Sequence, residues 1–300
     1  MRLSQIRDFV AAVDQGSLRA GARRTGVTQP AMSKSLRQLE EELQTRLLVR
    51  SARGVMMTAA GRAFLARARV VQAELRRVQD DLRSLRGAGS GSVAIGIAPS
   101  ISLLMPEAMA RFREKYPAAQ VRIVEGVRTA TLPAVRDETL DFAIGQNPGG
   151  PPESGLRFRP LLRPQLVVAG RKGHPLAQAR SLRELGGASW LVFNPLGSGN
   201  MLERAFAVAG VATPSALVQC ESHATALALM ARSDVLGLLY EQTFTDPLAS
   251  RYFHRFELEE SIPAPSVGMY LRADTPLTPV AAAMAQAVTA TLRALARQRN

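Results

Sequence analysis

The stretch TQPAMSKSLR at residues 28–37 concentrates side chains with a definite chemistry. A glutamine can bond adenine through two hydrogen bonds, lysine or arginine does the same with guanine, and serine serves either base. Thr28 is a helix N-cap type and Pro30 fits the first turn, where its missing N–H costs nothing. With Met32, Leu36, Leu39 and Leu43 on one face of that helix, Gln29, Ser33, Lys34 and Arg37 fall on the other. Shortly after, LLVRSARGVMMT sets Arg50 and Arg53 beside Gly54 between two apolar runs. That pattern predicts a β-hairpin wing with arginines for phosphates or a narrow minor groove. A solvated basic helix and loop without a partner would satisfy the same spacing.

Such a helix needs a platform. Ile6, Phe9, Val10 and Val13 follow the i, i+3, i+4, i+7 rule of an amphipathic helix that Gly16 ends. Ser17 can cap a second helix bearing Leu18, Ala20 and Ala22, and Gly26 supplies the turn into the third. This is the layout of a helix-turn-helix, whose last helix enters a major groove by its N-terminal half.

The segment GSLRAGARRTGVTQPAMSKSLRQLEEELQTRLLVRSARGVMMTAAG resembles the N-terminal signature of LysR-type transcriptional regulators. The likeness rests on Ser17, Ala22, Thr28 to Ala31, Ser33, Leu36, Leu39, Glu40, Leu43, Leu47, Arg50, Thr58, Ala60 and Gly61. It implies that Thr28, Gln29, Pro30, Ser33, Lys34 and Arg37 line the DNA face, with Arg50 and Arg53 on the wing. Gly21, Thr25 and Gln44 depart from the pattern, which usually has alanine, leucine and glycine there. Gly21 inside a helix is expected to cost about 1 kcal/mol relative to alanine, and Gln44 must adopt whatever backbone geometry glycine serves.

Phe64, Ala68, Val71, Leu75, Val78, Leu82 and Leu85 alternate spacings of four and three, a heptad seam with charged flanks. A helix from 64 to 85 would run about 33 Å at roughly 1.5 Å per residue. The seam predicts a partner helix, and a two-fold dimer suits paired half-sites on DNA; a single helix lying on its own domain is the alternative. The resemblance implies dimers through this helix and assembly to tetramers. GAGSGS at 87–92 reads as a hinge.

Beyond it, apolar strand-like runs alternate with helical ones: SVAIGIAPS, ISLLMPEAMARFREKY, QVRIVEG, TATLPAVRDETL, DFAIGQN, then PQLVVAG, SWLVFNP, ALVQC, VLGLLYE, SVGMYLRAD and an Ala-rich helix over 277–297. Alternation of this kind predicts α/β architecture. Two lobes with a late return to the first match the periplasmic-binding-protein-like domain that the resemblance implies. The crossing strands are expected near 164–170 and 266–272. The expected organisation is a winged helix-turn-helix over 1–60, a dimerisation helix over 61–87 and an effector-binding domain over 92–300. Its lobe I covers about 92–163 and 268–300, and lobe II about 164–267.

Ligands of open α/β sheets sit where strand ends meet helix starts. That rule selects Ser100, Ile101 and Ser102; Gln146 and Asn147; Leu196 and Ser198; and Ser222 and His223. Hydroxyls and free backbone N–H groups there suit a small organic anion, although Ser and Asn at helix starts also serve as plain N-caps. His223 reads as a pocket donor or pH-sensitive contact, or else as a cap or surface residue. Cys220 reads as a small core residue, and His174-Pro175 as a turn.

The chain carries 38 Lys and Arg against 25 Asp and Glu, net +13. Residues 1–86 hold 17 basic against 8 acidic, so the excess is concentrated at the head, which suits a polyanionic partner; an Arg-rich genome is the alternative. The single cysteine excludes an internal disulfide, and no zinc-ligand spacing occurs. No nucleophile elbow, HExxH or P-loop is present, so no catalytic residues, cofactor or metal are expected. A transport binding protein would share the body but not the head. Without a signal-peptide core or long apolar run, the expected setting is the cytoplasm, with no membrane partner. The expected partners are double-stranded promoter DNA, a small-molecule effector, further copies of the chain and RNA polymerase.

Overall fold

Ser17 and Thr28 each turn a side-chain oxygen onto a helix N–H, Ser17 accepting from Ala20 N at 3.2 Å and Thr28 from Ala31 N at 3.3 Å. These caps start two of the three helices at the head of the chain: α1 (Leu3–Asp14), α2 (Leu18–Thr25) and α3 (Gln29–Glu42). Gly26 closes α2 in the left-handed conformation, φ 73°. This computed structural model describes residues 1–51, 54–85, 89–150, 153–193, 195–197 and 200–297. Side chains at 50, 51, 80, 81, 83–85, 248, 263, 296 and 297 lie outside the described residues.

Phe9, Met32, Leu36 and Leu39 are all but sealed at the centre of the head, with Ile6, Ala12, Leu18 and Ala22 around them. Leu43, expected on the same face, is 36 % exposed because α3 stops one residue earlier. Gly21 has a packing reason that outweighs its helix propensity. A Cβ there would sit 2.8 Å from Ala12 Cα and 2.9 Å from Ala12 N, so glycine lets α1 and α2 touch backbone to backbone. Gln44 does take a left-handed conformation, φ 49°.

A hairpin follows, β1 (Leu48–Ser51) against β2 (Gly54–Met57), with Arg50 paired to Val55. Glu40 on α3 holds it by accepting from Leu47 N at 2.7 Å and Leu48 N at 2.9 Å. Val55 N donates to Gly16 O across the α1–α2 turn at 3.0 Å. Thr58 then starts α4 (Ala59–Leu85), accepting from Gly61 N at 2.9 Å while donating to Arg46 O at 2.7 Å.

The chain divides into two compact units, Met1–Ala88 with Arg136–Leu140, and Gly89–Val135 with Asp141–Asn300. Five residues beyond the sequence-expected boundary therefore group with the head and α4, where Arg77 pairs with Glu138 at 2.7 Å.

The second unit contains two sheets. One has the order β4-β3-β5-β13-β6 and is built from β3 (Ser92–Ile97), β4 (Gln120–Glu125), β5 (Phe142–Asn147), β6 (Leu156–Leu162) and β13 (Ser266–Arg272). The other runs β11-β7-β10-β8-β9, from β7 (Gln165–Arg171), β8 (Ser189–Val192), β9 (Leu217–Gln219), β10 (Val235–Tyr240) and β11 (Phe253–Arg255), with β12 (Ile262–Pro263) also on β7. A 3-10 turn (Pro99–Leu104) leads into α5 (Met105–Lys115). The remaining helices are α6 (Arg128–Arg136), α7 (Met201–Val208), α8 (His223–Arg232), α9 (Pro247–Tyr252) and α10 (Pro279–Arg297).

The strands expected to cross between lobes do not do so. β7 and β13 each lie wholly in one sheet, and the chain passes across at the dipeptides Arg163-Pro164 and Ala264-Pro265. Strand β13 thus rejoins the first sheet two residues before position 268. Pro133 sits inside α6 without ending it. No described helix is long and apolar enough to cross a membrane.

Candidate DNA-binding surface and effector pocket

With Met32, Leu36 and Leu39 turned inward, α3 presents Thr28, Gln29, Pro30, Lys34 and Arg37 to solvent and Ser33 half-buried. Six polar or turn-forming residues thus share the outer side of one helix, and its N-terminal end adds partial positive charge. Of the two wing arginines, Arg53 and the side chain of Arg50 lie outside the described residues. Sequence reasoning passed over Arg19, Arg23 and Arg24, which are exposed on α2. Their signal was the polar side of a helix read only for its apolar residues.

The heptad seam divides in two. Phe64 stacks edge-on against Phe9, centroids 5.1 Å apart, and Ala68 is buried, so these two belong to the core of the head rather than to an open seam. Val71, Leu75, Val78 and Leu82 are between 37 and 56 % exposed along α4. The side chain of Leu85 lies outside the described residues.

In the second unit a cavity of about 510 Å³ opens between the two sheets. Ser100, Gln146 and His223 line it, from three of the four predicted loops. The other predicted residues that are described turn elsewhere. Ile101 is packed into the core at 1 % exposure, and Ser102 Oγ donates to Pro99 O at 2.8 Å to close its own 3-10 turn. Asn147 Oδ1 accepts from Gly149 N, Ser222 N-caps α8, and Leu196 is exposed on a turn. Ser198 lies outside the described residues.

Sequence reasoning missed much of the lining: Arg128 and Thr129 at the start of α6, Phe193 after β8, Tyr240 at the end of β10 and Tyr270 in β13. Gln146, at the end of β5, joins the two sheets by donating from Nε2 to Tyr240 Oη at 2.5 Å, and the Ser100 hydroxyl also bonds that phenol. Tyr270 Oη donates to Gln146 O at 2.7 Å and meets the Arg128 guanidinium, which lies 3.5 Å from Glu153. Burial pushes the Tyr240 phenol up to about 12, against the pull of its hydrogen bonds, so it remains neutral. Burial likewise raises Tyr270, with the Arg128 contact opposing.

His223 is neither a cap nor a surface residue. It is 5 % exposed, its ring lies 5.5 Å from that of Phe193, and burial holds its imidazole below the usual value of 6.5. Cys220 is half-buried with Sγ donating to Ser222 O at 3.3 Å. Among the described residues no cluster of three metal-ligating side chains occurs.

Two family models match the chain. The bacterial regulatory helix-turn-helix protein of the lysR family covers residues 3–62, and the LysR substrate binding domain covers 86–293. The chain belongs to the LysR family of transcriptional regulators. LysR relatives include the transcriptional regulator GalR of Pseudomonas putida, 30 % identical over 93 % of this chain and 71 % of that one. GbpR of Azospirillum brasilense is 29 % identical over 93 % and 83 %. Among solved structures, CbnR in complex with its target DNA superposes with a TM-score of 0.70 at 20 % identity, over 97 % of this chain and 100 % of that one. A full-length OxyR variant from Pseudomonas aeruginosa gives 0.70 at 21 %, over 99 % and 97 %. The LysR chain described here is therefore a DNA-binding regulator with an effector-binding domain, and its fold is that of other full-length members.

Proposed function

We propose that this regulator reads its operator through Thr28, Gln29, Pro30, Ser33, Lys34 and Arg37, with Arg50 and Arg53 on the wing and Arg19, Arg23 and Arg24 toward phosphates. The reading rests on the exposure of Arg19, Arg23 and Arg24 along α2 and of Thr28, Gln29, Pro30, Lys34 and Arg37 at α3. Two copies pair through Val71, Leu75, Val78 and Leu82, an apolar row that water would otherwise cover. Pairing of dimers to a tetramer follows family practice. The working parts are the wing domain over 1–60, the helix over 61–87 and the effector-binding domain over 92–300, whose lobes meet at the two proline dipeptides.

The effector is a small organic anion held in the cavity between the sheets. A single observation carries this: Arg128, at the start of α6, is the one permanent cation among the described lining residues of a pocket otherwise lined by neutral hydroxyls, an amide, the buried His223 imidazole and apolar side chains. Filling that pocket would displace or recruit the Gln146–Tyr240 bond between the sheets and so shift the balance of lobe positions, altering access of RNA polymerase to the promoter. Effector and DNA affinities are then coupled reciprocally. The relatives are named as transcriptional regulators, which supports a non-catalytic role inside the cytoplasm.

The test is a gel mobility shift on DNA upstream of the protein's own gene, at several salt concentrations, comparing wild type with Gln29→Ala and Arg53→Ala. A specific shift that weakens in both variants is expected. A shift insensitive to both would remove the assigned DNA face. For the pocket, Arg128→Ala is expected to abolish stabilisation of the protein by organic acids that stabilise wild type.

A further inference from the structure

His223 stands apart from the other polar groups of the pocket. Gln146, Ser100, Tyr240 and Tyr270 already bond to one another across the cavity. The imidazole is 95 % buried, being 5 % exposed, and its Nδ1 is sealed from solvent with no hydrogen-bond partner. A proton on Nδ1 would make it a buried donor without an acceptor, the rarest kind of unsatisfied group; a bare lone pair there is cheaper. The proton of the neutral ring therefore belongs on Nε2, and the ring lines the cavity beside Phe193, 5.5 Å away between centroids.

We propose that His223 is the specificity residue of the pocket, donating its Nε2–H to an uncharged oxygen on the body of the effector, which is accordingly an organic acid bearing a keto, ether or hydroxyl substituent. This rests on the reading of the cavity as an organic-anion site and narrows the ligand class within it. A neutral ring with its proton on Nε2 offers the cavity one N–H, and an uncharged oxygen on the ligand satisfies it. The unsubstituted acid would leave the imidazole N–H without a partner in the closed pocket, and a site built to bond an oxygen discriminates strongly against a ligand lacking it.

The experiment has two arms on the full-length protein. In the first, long-range proton–nitrogen NMR of histidine-labelled protein reads the tautomer of His223. The chain has three histidines, so His223→Phe identifies its signals by loss. An Nε2–H tautomer is expected; an Nδ1–H tautomer overturns the proposal. In the second, calorimetry compares benzoate and cyclohexanecarboxylate with their acetyl, oxo, methoxy and hydroxy derivatives. Wild type is expected to favour at least one substituted acid over its parent by tenfold or more. His223→Phe should erase that preference, because it removes the N–H that the parent acid leaves unpaired, and His223→Gln, which keeps an N–H near the same place, should restore part of it. Preference retained in His223→Phe, or parent and derivatives bound alike by wild type, overturns the role of His223 and leaves the anion site standing. Failure of every acid to bind wild type overturns both.

Discussion

The head and the effector-binding unit use polar side chains in opposite ways. On α3 the residues proposed to meet DNA are turned outward from one apolar seam and spaced along a single helix. In the cavity the polar side chains are turned inward, come from β5, β10, β13, α6, α8 and the 3-10 turn, and mostly bond to each other. The outward set resembles a keyboard, in which single changes act nearly independently. The inward set is a network, in which removing one member leaves its partner buried and unsatisfied. Affinity at the first is expected to follow charge and salt, and at the second to follow shape and hydrogen-bond count.

The largest expected effect separates the two regions outright. Phe9→Ala removes the ring packed on Phe64 at the centre of the head and should cost about 3–5 kcal/mol there. DNA binding and the head's share of thermal unfolding should be lost, while acid binding to the cavity, followed by calorimetry, should persist. Loss of both would mean that the two regions fold as one.

Gly21→Ala is next. Helix propensity alone predicts a gain of about 1 kcal/mol, but the added methyl would press on Ala12 backbone atoms within 3 Å. Overpacking of about 1–3 kcal/mol should win, giving a lower denaturation midpoint; a higher one would show that the helices separate freely. Lys34→Ala should weaken operator binding by roughly tenfold and, if it contacts a phosphate, reduce the slope of log affinity against log salt by about 1. An unchanged slope would reassign Lys34 to base reading.

The smallest effect concerns pH. The folded imidazole of His223 sits below 6.5, so the unfolded chain takes up a proton that the native state refuses. Its contribution to stability is whole above pH 6.5 and lost as pH falls through the folded value. The other titratable side chains lining the cavity are Arg128, Tyr240 and Tyr270. Wild type should therefore lose more stability than His223→Phe between pH 7.5 and 5.5; equal losses would indicate a ring open to water.

The same contrast explains what could be read from the amino acids. Thr28, Gln29 and Lys34 were legible because packing and chemistry share one helical repeat within one element. Arg128, Tyr240 and Tyr270 were not, because their proximity depends on how two sheets face each other, and a tyrosine ending an apolar strand such as VLGLLY reads as core. Arg128 had a usable signal: it begins a helix directly after the strand QVRIVE, the same strand-end position that pointed to Ser100. Periodicity alone presents the seam as one continuous device, because it reports which residues share a face, not where the neighbouring core ends; Phe64 and Ala68 pack instead with Phe9 and its neighbours. Gly21 was judged by propensity, when a contact with Ala12 decides it.

The two dipeptides that join the sheets, Arg163-Pro164 and Ala264-Pro265, have a mechanical meaning. Each is too short to stretch, and each contains a residue whose φ is locked near −65°. Two such struts side by side act like the pins of a door. Rotation about the line through them is expected to cost less than sliding of one lobe past the other. A ligand that fills the cavity between the sheets is therefore expected to act on one angle, that between the sheets, more than on the internal structure of either.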